Sequence, residues 1–147
     1  MSLEFRHADI KDADRIVEIE RASMSTPWSR ASFIEAIESD HAFVNLAMYE
    51  GELAGYAVFY LTVPEAELPD IVVSEEYRGL GIGRALLEHS LDELRSNGVE
   101  KLFLEVRKSN TPARQLYESL EFEQIGIRKY FYSDPVEDAI CMSYEMA

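Results

Sequence analysis

The spacing of apolar and polar residues divides the chain into alternating strands and helices. Leu3–Arg6 alternates between the two kinds of residue, which predicts a short first strand. A helix is predicted to open at Asp9, because Ile16, Val17 and Ile19 follow at the spacing of one helical face.

A second helix is predicted to begin at Ser29, since serine favours the N-cap position. Trp28 precedes this cap and can pack on Phe33 inside the helix, as a hydrophobic staple. A hairpin follows, with its turn at Glu50-Gly51-Glu52.

The later elements follow the same logic. In chain order they are strands over Ala42–Tyr49, Leu53–Val63 and Glu67–Val73, a helix bearing Leu86, Leu87, Leu91 and Leu94, a strand over Lys101–Val106, a helix opened by Thr111 as cap and Pro112, and strands over Gln124–Tyr132 and Ala139–Met146. This order predicts an α/β fold with a mixed, mostly antiparallel sheet and helices on both faces. No linker interrupts it, so residues 1–147 are expected to form a single domain.

The charge and the residue composition limit the kinds of molecule and ion that the protein is expected to bind. A formal net charge of −14 argues against direct nucleic-acid binding and favours a basic partner, although acidity also simply keeps a protein soluble. No apolar run is long enough to cross a membrane, and the single cysteine, Cys141, excludes a disulfide framework. Both features favour a reducing, cytoplasmic setting. His7, His41 and His89 lack metal-ligand spacing, so no metal is expected.

A glycine-rich turn between a strand and a helix, Arg78–Gly83, has the chemistry of an anion site. Glycines let the backbone approach a ligand closely, and the first N–H groups of the helix have no internal partners. Arg78 and Arg84 could add charge-assisted contacts. The turn lacks the Gly-Lys-Ser/Thr of a P-loop and the dinucleotide glycine spacing, and a plain tight connection remains possible.

This turn resembles the signature of the GNAT acetyltransferases, and the order of elements resembles that family over nearly the whole chain. The resemblance implies that acetyl-CoA is the co-substrate and that the loop amides hold its pyrophosphate. It also implies that the preceding strand pairs with the pantetheine arm. The implied coenzyme-binding residues are Ile71, Val72, Val73, Arg78, Gly79, Leu80, Gly81, Ile82, Gly83, Arg84 and Asn110.

Within the family, the chain is most similar to the RimI branch. The shared stretches are Pro27-Trp28-Ser29, Gly83–Glu88, Leu104-Glu105-Val106-Arg107, Ser109-Asn110, Leu116–Leu120 and Glu137–Ile140. This resemblance implies acetylation of the N-terminal alanine of a small-subunit ribosomal protein, so the expected partner is a basic protein N-terminus.

Acetyl transfer to an amine requires a base, an acid and support for the thioester oxygen. Glu105, at the end of an apolar strand, is the candidate base by the resemblance; otherwise it pairs with Arg107 or Lys108. Tyr117 is the candidate acid by the same resemblance; otherwise it belongs to a core stripe of its helix. The resemblance also implies a backbone N–H near Val73 at the thioester oxygen.

Three aromatic residues, Trp28, Tyr130 and Tyr132, either wall the acceptor site or serve as ordinary core and surface residues. The chain also departs from the family pattern at two positions. Glu121 stands where the family has a helix-ending glycine, so a shifted loop is expected there. Leu68-Pro69-Asp70 replaces a segment that often has asparagine, so the acceptor preference is expected to differ.

Three functions therefore compete. The first is a RimI-like protein N-terminal acetyltransferase. The second is a GNAT enzyme acting on a small amine or a lysine side chain. The third is an acyl-CoA-binding module without turnover, which the presence of both Glu105 and Tyr117 disfavours.

Overall fold

A seven-stranded sheet with helices on both faces organises residues 2–146, the part of the chain that the computed structural model describes. The strands are β1 (Leu3–His7), β2 (Ala42–Tyr49), β3 (Glu52–Thr62), β4 (Glu65–Val73), β5 (Lys101–Arg107), β6 (Glu123–Tyr132) and β7 (Glu137–Glu145). The helices are α1 (Ala13–Ser23), α2 (Arg30–Glu38), α3 (Ile82–Ser96) and α4 (Thr111–Ser119), with single 3₁₀ turns at Ile10–Asp12 and Glu75–Tyr77. The mixed α/β fold predicted from the sequence is confirmed.

The strand order is β1-β2-β3-β4-β5-β7-β6, and all neighbours are antiparallel except β4 and β5. The parallel pair is short, because only Glu65–Glu67 pair with Lys101–Phe103. Beyond these three residue pairs the two strands separate, and the sheet is open at its centre.

A β-bulge marks the point of separation. Asp70 lies opposite Val58, whereas Glu67 lies opposite Tyr60, so β4 contains one extra residue. Pro69 lies within this bulge, where its lack of an N–H group costs no ladder hydrogen bond.

Two apolar cores hold the helices to the sheet. On one face α3 buries Leu86, Leu87 and Leu94 completely. On the other face α1 and α2 bury Ile16 and Phe33. Trp28 packs on Phe33 with ring centroids 5.3 Å apart, in line with the predicted staple, and Ser29 caps α2 by accepting from the Ser32 N–H.

Three local predictions were wrong. Asp9 caps a single 3₁₀ turn, and the first α-helix begins only at Ala13. The side chain of Asn110, not Thr111, caps α4 by accepting from the Ala113 N–H at 3.3 Å. Glu121 adopts the left-handed conformation itself, with φ of 72°, so the turn forms as it would with glycine, at the cost of some backbone strain.

Candidate active site

A cleft of about 550 Å³ occupies the gap between the separated ends of β4 and β5. Its lining comes from six parts of the chain: the end of α1 with the loop after it, β4, the start of α3, β5 with the loop after it, α4, and the β6–β7 hairpin. The lining residues are Ser23, Met24, Ser25, Leu68–Ile71, Val73, Gly83, Glu105–Arg107, Ser109, Asn110, Ala113, Leu116, Tyr117, Tyr132, Pro135 and Glu137. The gap in the sheet therefore brings distant residues to one space.

Glu105 projects into this cleft because side chains alternate along β5. Leu104 and Val106 are buried in the sheet, and the Glu105 side chain between them is 32% exposed. Its carboxylate lies 3.9 Å from the Arg128 Nε of β6. The predicted alternative, an ion pair with Arg107 or Lys108, is not what the structure shows.

Tyr117 belongs both to the core and to the cleft wall. Its ring is buried and packs on Phe122, with centroids 5.5 Å apart. Burial raises the pKa of Tyr117, and the neighbouring Tyr132 and Asp70 raise it further. The phenol therefore stays protonated at neutral pH.

The three candidate aromatic residues fall in different places. Tyr132 lines the cleft, and burial together with the nearby Glu105 charge raises its pKa to about 12. Tyr130 is 77% exposed and lies outside the residues that line the cleft. Trp28 also lies outside that lining and stacks on Tyr60.

The floor of the cleft is formed where β4 meets α3. Ile71 and Val73 line the cleft, whereas Val72 is buried in the core under α1 and α2. A Cβ atom at Gly83 would stand 3.4 Å from Val73 Cγ2 and 3.9 Å from Leu116 Cδ2. Glycine at this position therefore keeps space open between the strand and α4, where a chain-like ligand would lie.

The glycine-rich turn has the geometry of an anion cradle. Gly79 and Gly81 adopt positive φ values of 81° and 78°. No side chain caps α3 within the described residues, so its first backbone N–H groups are available to a ligand. Leu80 is exposed, while Ile82 is buried in the core.

The two arginines of the turn already have protein partners. Arg78 Nε donates to the Val73 carbonyl at 3.0 Å, which ties the turn to the end of β4. Arg84 donates to the Ser119 hydroxyl of α4 at 2.7 Å. Each of these hydrogen bonds engages one nitrogen of its arginine, and the remaining N–H groups of both guanidinium groups could still bind an anion.

Comparison with known families matches residues 13–122 to the "Acetyltransferase (GNAT) family". This match spans most of the chain. The protein is a GNAT acetyltransferase. No group of three or more potential metal ligands occurs among the described residues of this acetyltransferase.

Similar proteins cover almost the full length. The acetyltransferase is 40% identical over 135 residues to the [Ribosomal protein bS18]-alanine N-acetyltransferase of Escherichia coli strain K12, covering 90% of each chain. It is 35% identical over 136 residues to the enzyme of that name from Haemophilus influenzae, covering 90% and 91%. The crystal structure of the Escherichia coli ribosomal-protein-S18-alanine N-acetyltransferase superposes with a TM-score of 0.93 at 35% identity, over 99% of this chain and 95% of that one.

Arg107 of the acetyltransferase joins the two loops at the mouth of the cleft, which sequence reasoning missed. Its guanidinium donates to the carbonyls of Ser133 (2.9 Å) and Pro135 (3.0 Å) in the β6–β7 connection and to the Glu137 carboxylate (3.2 Å) at the start of β7. It also reaches the Ser25 hydroxyl in the loop after α1, at 3.3 Å. One side chain of β5 thus holds both loops.

A pair of buried acids, of which one lines the cleft, was also missed. Glu20 of α1 is fully buried and accepts from the Tyr56 hydroxyl (2.7 Å) and the Trp28 N–H (2.9 Å). Asp70 of β4 is 5% exposed and lines the cleft. Burial, a hydrogen bond with Glu20 and the Glu20 charge raise the pKa of Asp70 to about 9.

Proposed function

We propose that this enzyme transfers the acetyl group of acetyl-CoA to the N-terminal α-amine of a protein, the N-terminal alanine of ribosomal protein bS18. The single observation that carries the proposal is the 40% identity to a bS18-alanine N-acetyltransferase over 90% of both chains. The net charge of −14 complements a basic N-terminus, and such an acceptor places the reaction in the cytoplasm.

The shape of the cleft supports acetyl-CoA as the co-substrate. The amides of Gly79–Gly83 and of the first turn of α3 would hold the pyrophosphate, as the uncapped helix end favours an anion. The open edge of β4 at Ile71 and Val73 would pair with the amides of the pantetheine arm, over the space that Gly83 leaves free. Asn110 lines the cleft beside that path.

Glu105 begins the chemistry by removing a proton from the acceptor amine, directly or through a water molecule. An α-amine has an ordinary pKa of about 7.7–8.0, so this proton is not strongly held at neutral pH. The amine nitrogen then bonds to the thioester carbon, while a backbone N–H near Val73 supports the carbonyl oxygen. As the carbon–sulfur bond breaks, Tyr117 gives its proton to the sulfur and the nitrogen loses its second proton to water to form the amide. Solvent then returns a proton to Tyr117 and takes one from Glu105.

Acetyl-CoA turnover, read as free thiol release, tests the proposal. The acceptor is a hexapeptide with an N-terminal alanine followed by basic and aromatic residues, and the control is the same peptide with a blocked N-terminus. Release with the free terminus alone is the expected result. Equal release with both peptides would instead indicate a lysine acceptor or hydrolysis, and no release with either would contradict the proposal.

A further inference from the structure

The buried Glu20–Asp70 pair has no role in the mechanism above, yet one of its members forms part of the cleft wall. The Oδ2 atom of Asp70 is buried and receives no hydrogen bond from an N–H or hydroxyl group of residues 2–146. A buried acceptor without a hydrogen-bond partner lowers the stability of the fold, so we expect a proton or a ligand at this atom.

The pair holds one proton, because two carboxylates in contact away from water cannot both be ionised. Both oxygens of Glu20 already accept, one from the Tyr56 hydroxyl and one from the Trp28 N–H. Burial, the hydrogen bond with Glu20 and the Glu20 charge raise the pKa of Asp70 to about 9, so we assign the proton to Asp70, which donates it to Glu20. At neutral pH the pair carries one negative charge.

This charge faces few groups that could neutralise it. Tyr56 of β3 faces Glu20, and Tyr117 of α4 lies near Asp70, but both stay neutral because burial raises their pKa values. Across the cleft stand Glu105 and Tyr132 together with Arg107 and Glu137. Of the cleft-lining residues described, Arg107 is the one cation, and it is already paired with Glu137.

We propose that the Glu20–Asp70 pair is the recognition site for the acceptor amine. Asp70 directs its proton toward Glu20. Its carboxyl oxygen on the cleft side then accepts a hydrogen bond from an N–H of the incoming ammonium. The negative charge of the pair offsets the cost of bringing that cation out of water. This inference rests on the proposed function, since it requires an acceptor that carries a free α-amine.

Binding of two peptides that differ only in this amine tests the proposal. One is the alanyl hexapeptide, and the other carries a propionyl group in place of alanine and so lacks the nitrogen. Dissociation constants are measured by titration calorimetry at pH 7 with coenzyme A present, which allows no acetyl transfer. The wild type should bind the alanyl peptide about tenfold more tightly or better, as expected for a hydrogen bond to a charged group.

Two substitutions separate recognition from folding. Asp70→Ala removes the cleft-side acceptor and should reduce the preference to less than about threefold. Asp70→Asn can donate its amide N–H to Glu20 and present its carbonyl to the cleft, so it should retain the preference. Should the alanine variant not fold, Asp70→Ser keeps a hydroxyl for Glu20 with too few atoms to reach the cleft as well, and it should also lose the preference.

An unchanged preference in the folded alanine or serine variant would overturn the inference. So would equal affinity of the wild type for both peptides, provided that it acetylates the alanyl peptide. Absence of acetylation by the wild type would count against the proposed function itself, which keeps the two failures distinguishable.

Discussion

The two walls of the cleft each carry a carboxyl group, and the two groups have opposite surroundings. Glu105 on β5 is 32% exposed and lies 3.9 Å from a guanidinium. Asp70 on β4 is 5% exposed, and burial together with the neighbouring Glu20 raises its pKa to about 9. Neighbouring strands thus give the same functional group two environments, which is why we assign proton transfer to one acid and amine binding to the other.

The largest effect should follow from Glu105→Gln, which removes the base while keeping the shape of the side chain. We expect kcat/KM for the alanyl peptide to fall by about 10²–10⁴-fold, the usual contribution of a general base. The measurement is thiol release under saturating acetyl-CoA. Glu123→Gln, on exposed β6, is the matched control; a folded Glu105→Gln enzyme within twofold of the wild type would refute the role of Glu105.

Tyr117→Phe tests the proposed acid on α4. Without the phenolic proton the sulfur leaves as a thiolate, so kcat should fall by about 10²-fold, with KM for both substrates nearly unchanged. Tyr144→Phe is the control, since Tyr144 packs on the same Phe122 outside the cleft lining. A loss of equal size in both variants would mean that Tyr117 acts through packing alone.

A smaller effect is expected for Arg107→Lys, which keeps the charge but cannot satisfy partners in two loops at once. KM for the peptide should rise about tenfold, as these charge-assisted hydrogen bonds are lost, while KM for acetyl-CoA stays within twofold. Arg95→Lys on α3 serves as the control. Equal changes in the two KM values would contradict a role confined to the loop after α1 and the β6–β7 connection.

Asp70→Asn should change how stability depends on pH. The pKa of Asp70 rises from 3.8 to about 9 on folding, so its stabilising contribution is complete below about pH 3.8 and is lost as the pH rises toward 9. Asparagine has no proton to lose. The free energy of unfolding of the variant, relative to the wild type, should therefore increase between pH 5 and pH 8.5 in urea titrations.

The control for this comparison is Asp40→Asn, which removes one exposed negative charge from the chain. If the free energies of unfolding of the wild type and Asp70→Asn changed in parallel with pH, the pKa of Asp70 would not be raised as described.

The smallest effect concerns the end of α4, which carries Tyr117. Glu121→Gly should raise the free energy of unfolding by about 1 kcal/mol, because glycine adopts positive φ without strain. Glu118→Gly, inside the same helix, should lower it by about 1 kcal/mol. Chemical denaturation measures both, and a kcat change beyond twofold in Glu121→Gly would show that the turn also positions Tyr117.

Local patterns predicted much of the fold. The hairpin turn formed where expected, with Glu50 and Gly51 at positive φ, and the strand predicted over Lys101–Val106 formed as β5. The resemblance led to Glu105 and Tyr117, which line the same cleft. These features depend on residues close in sequence or on a motif, so they can be read along the chain.

The acid pair could not be predicted in this way. Helical spacing places Glu20 on the face of Ile16 and Val17, and alternation places Asp70 on a buried face with Val72. The sequence pattern around each residue therefore gave only a weak indication that its carboxyl group is buried. That the two meet depends on the packing of α1 over β4, fifty positions apart in the chain, which no local rule specifies.

The opening between β4 and β5 leaves few backbone hydrogen bonds to hold the centre of the sheet together. The sheet consists of two halves, β1–β4 and β5–β7–β6, joined by three residue pairs. A co-substrate whose amides extend that ladder acts as a replaceable strand, and at a hundred times its Kd it would stabilise the fold by about 2.7 kcal/mol. The lifetime of the enzyme in a cell should therefore follow the supply of the molecule that it consumes.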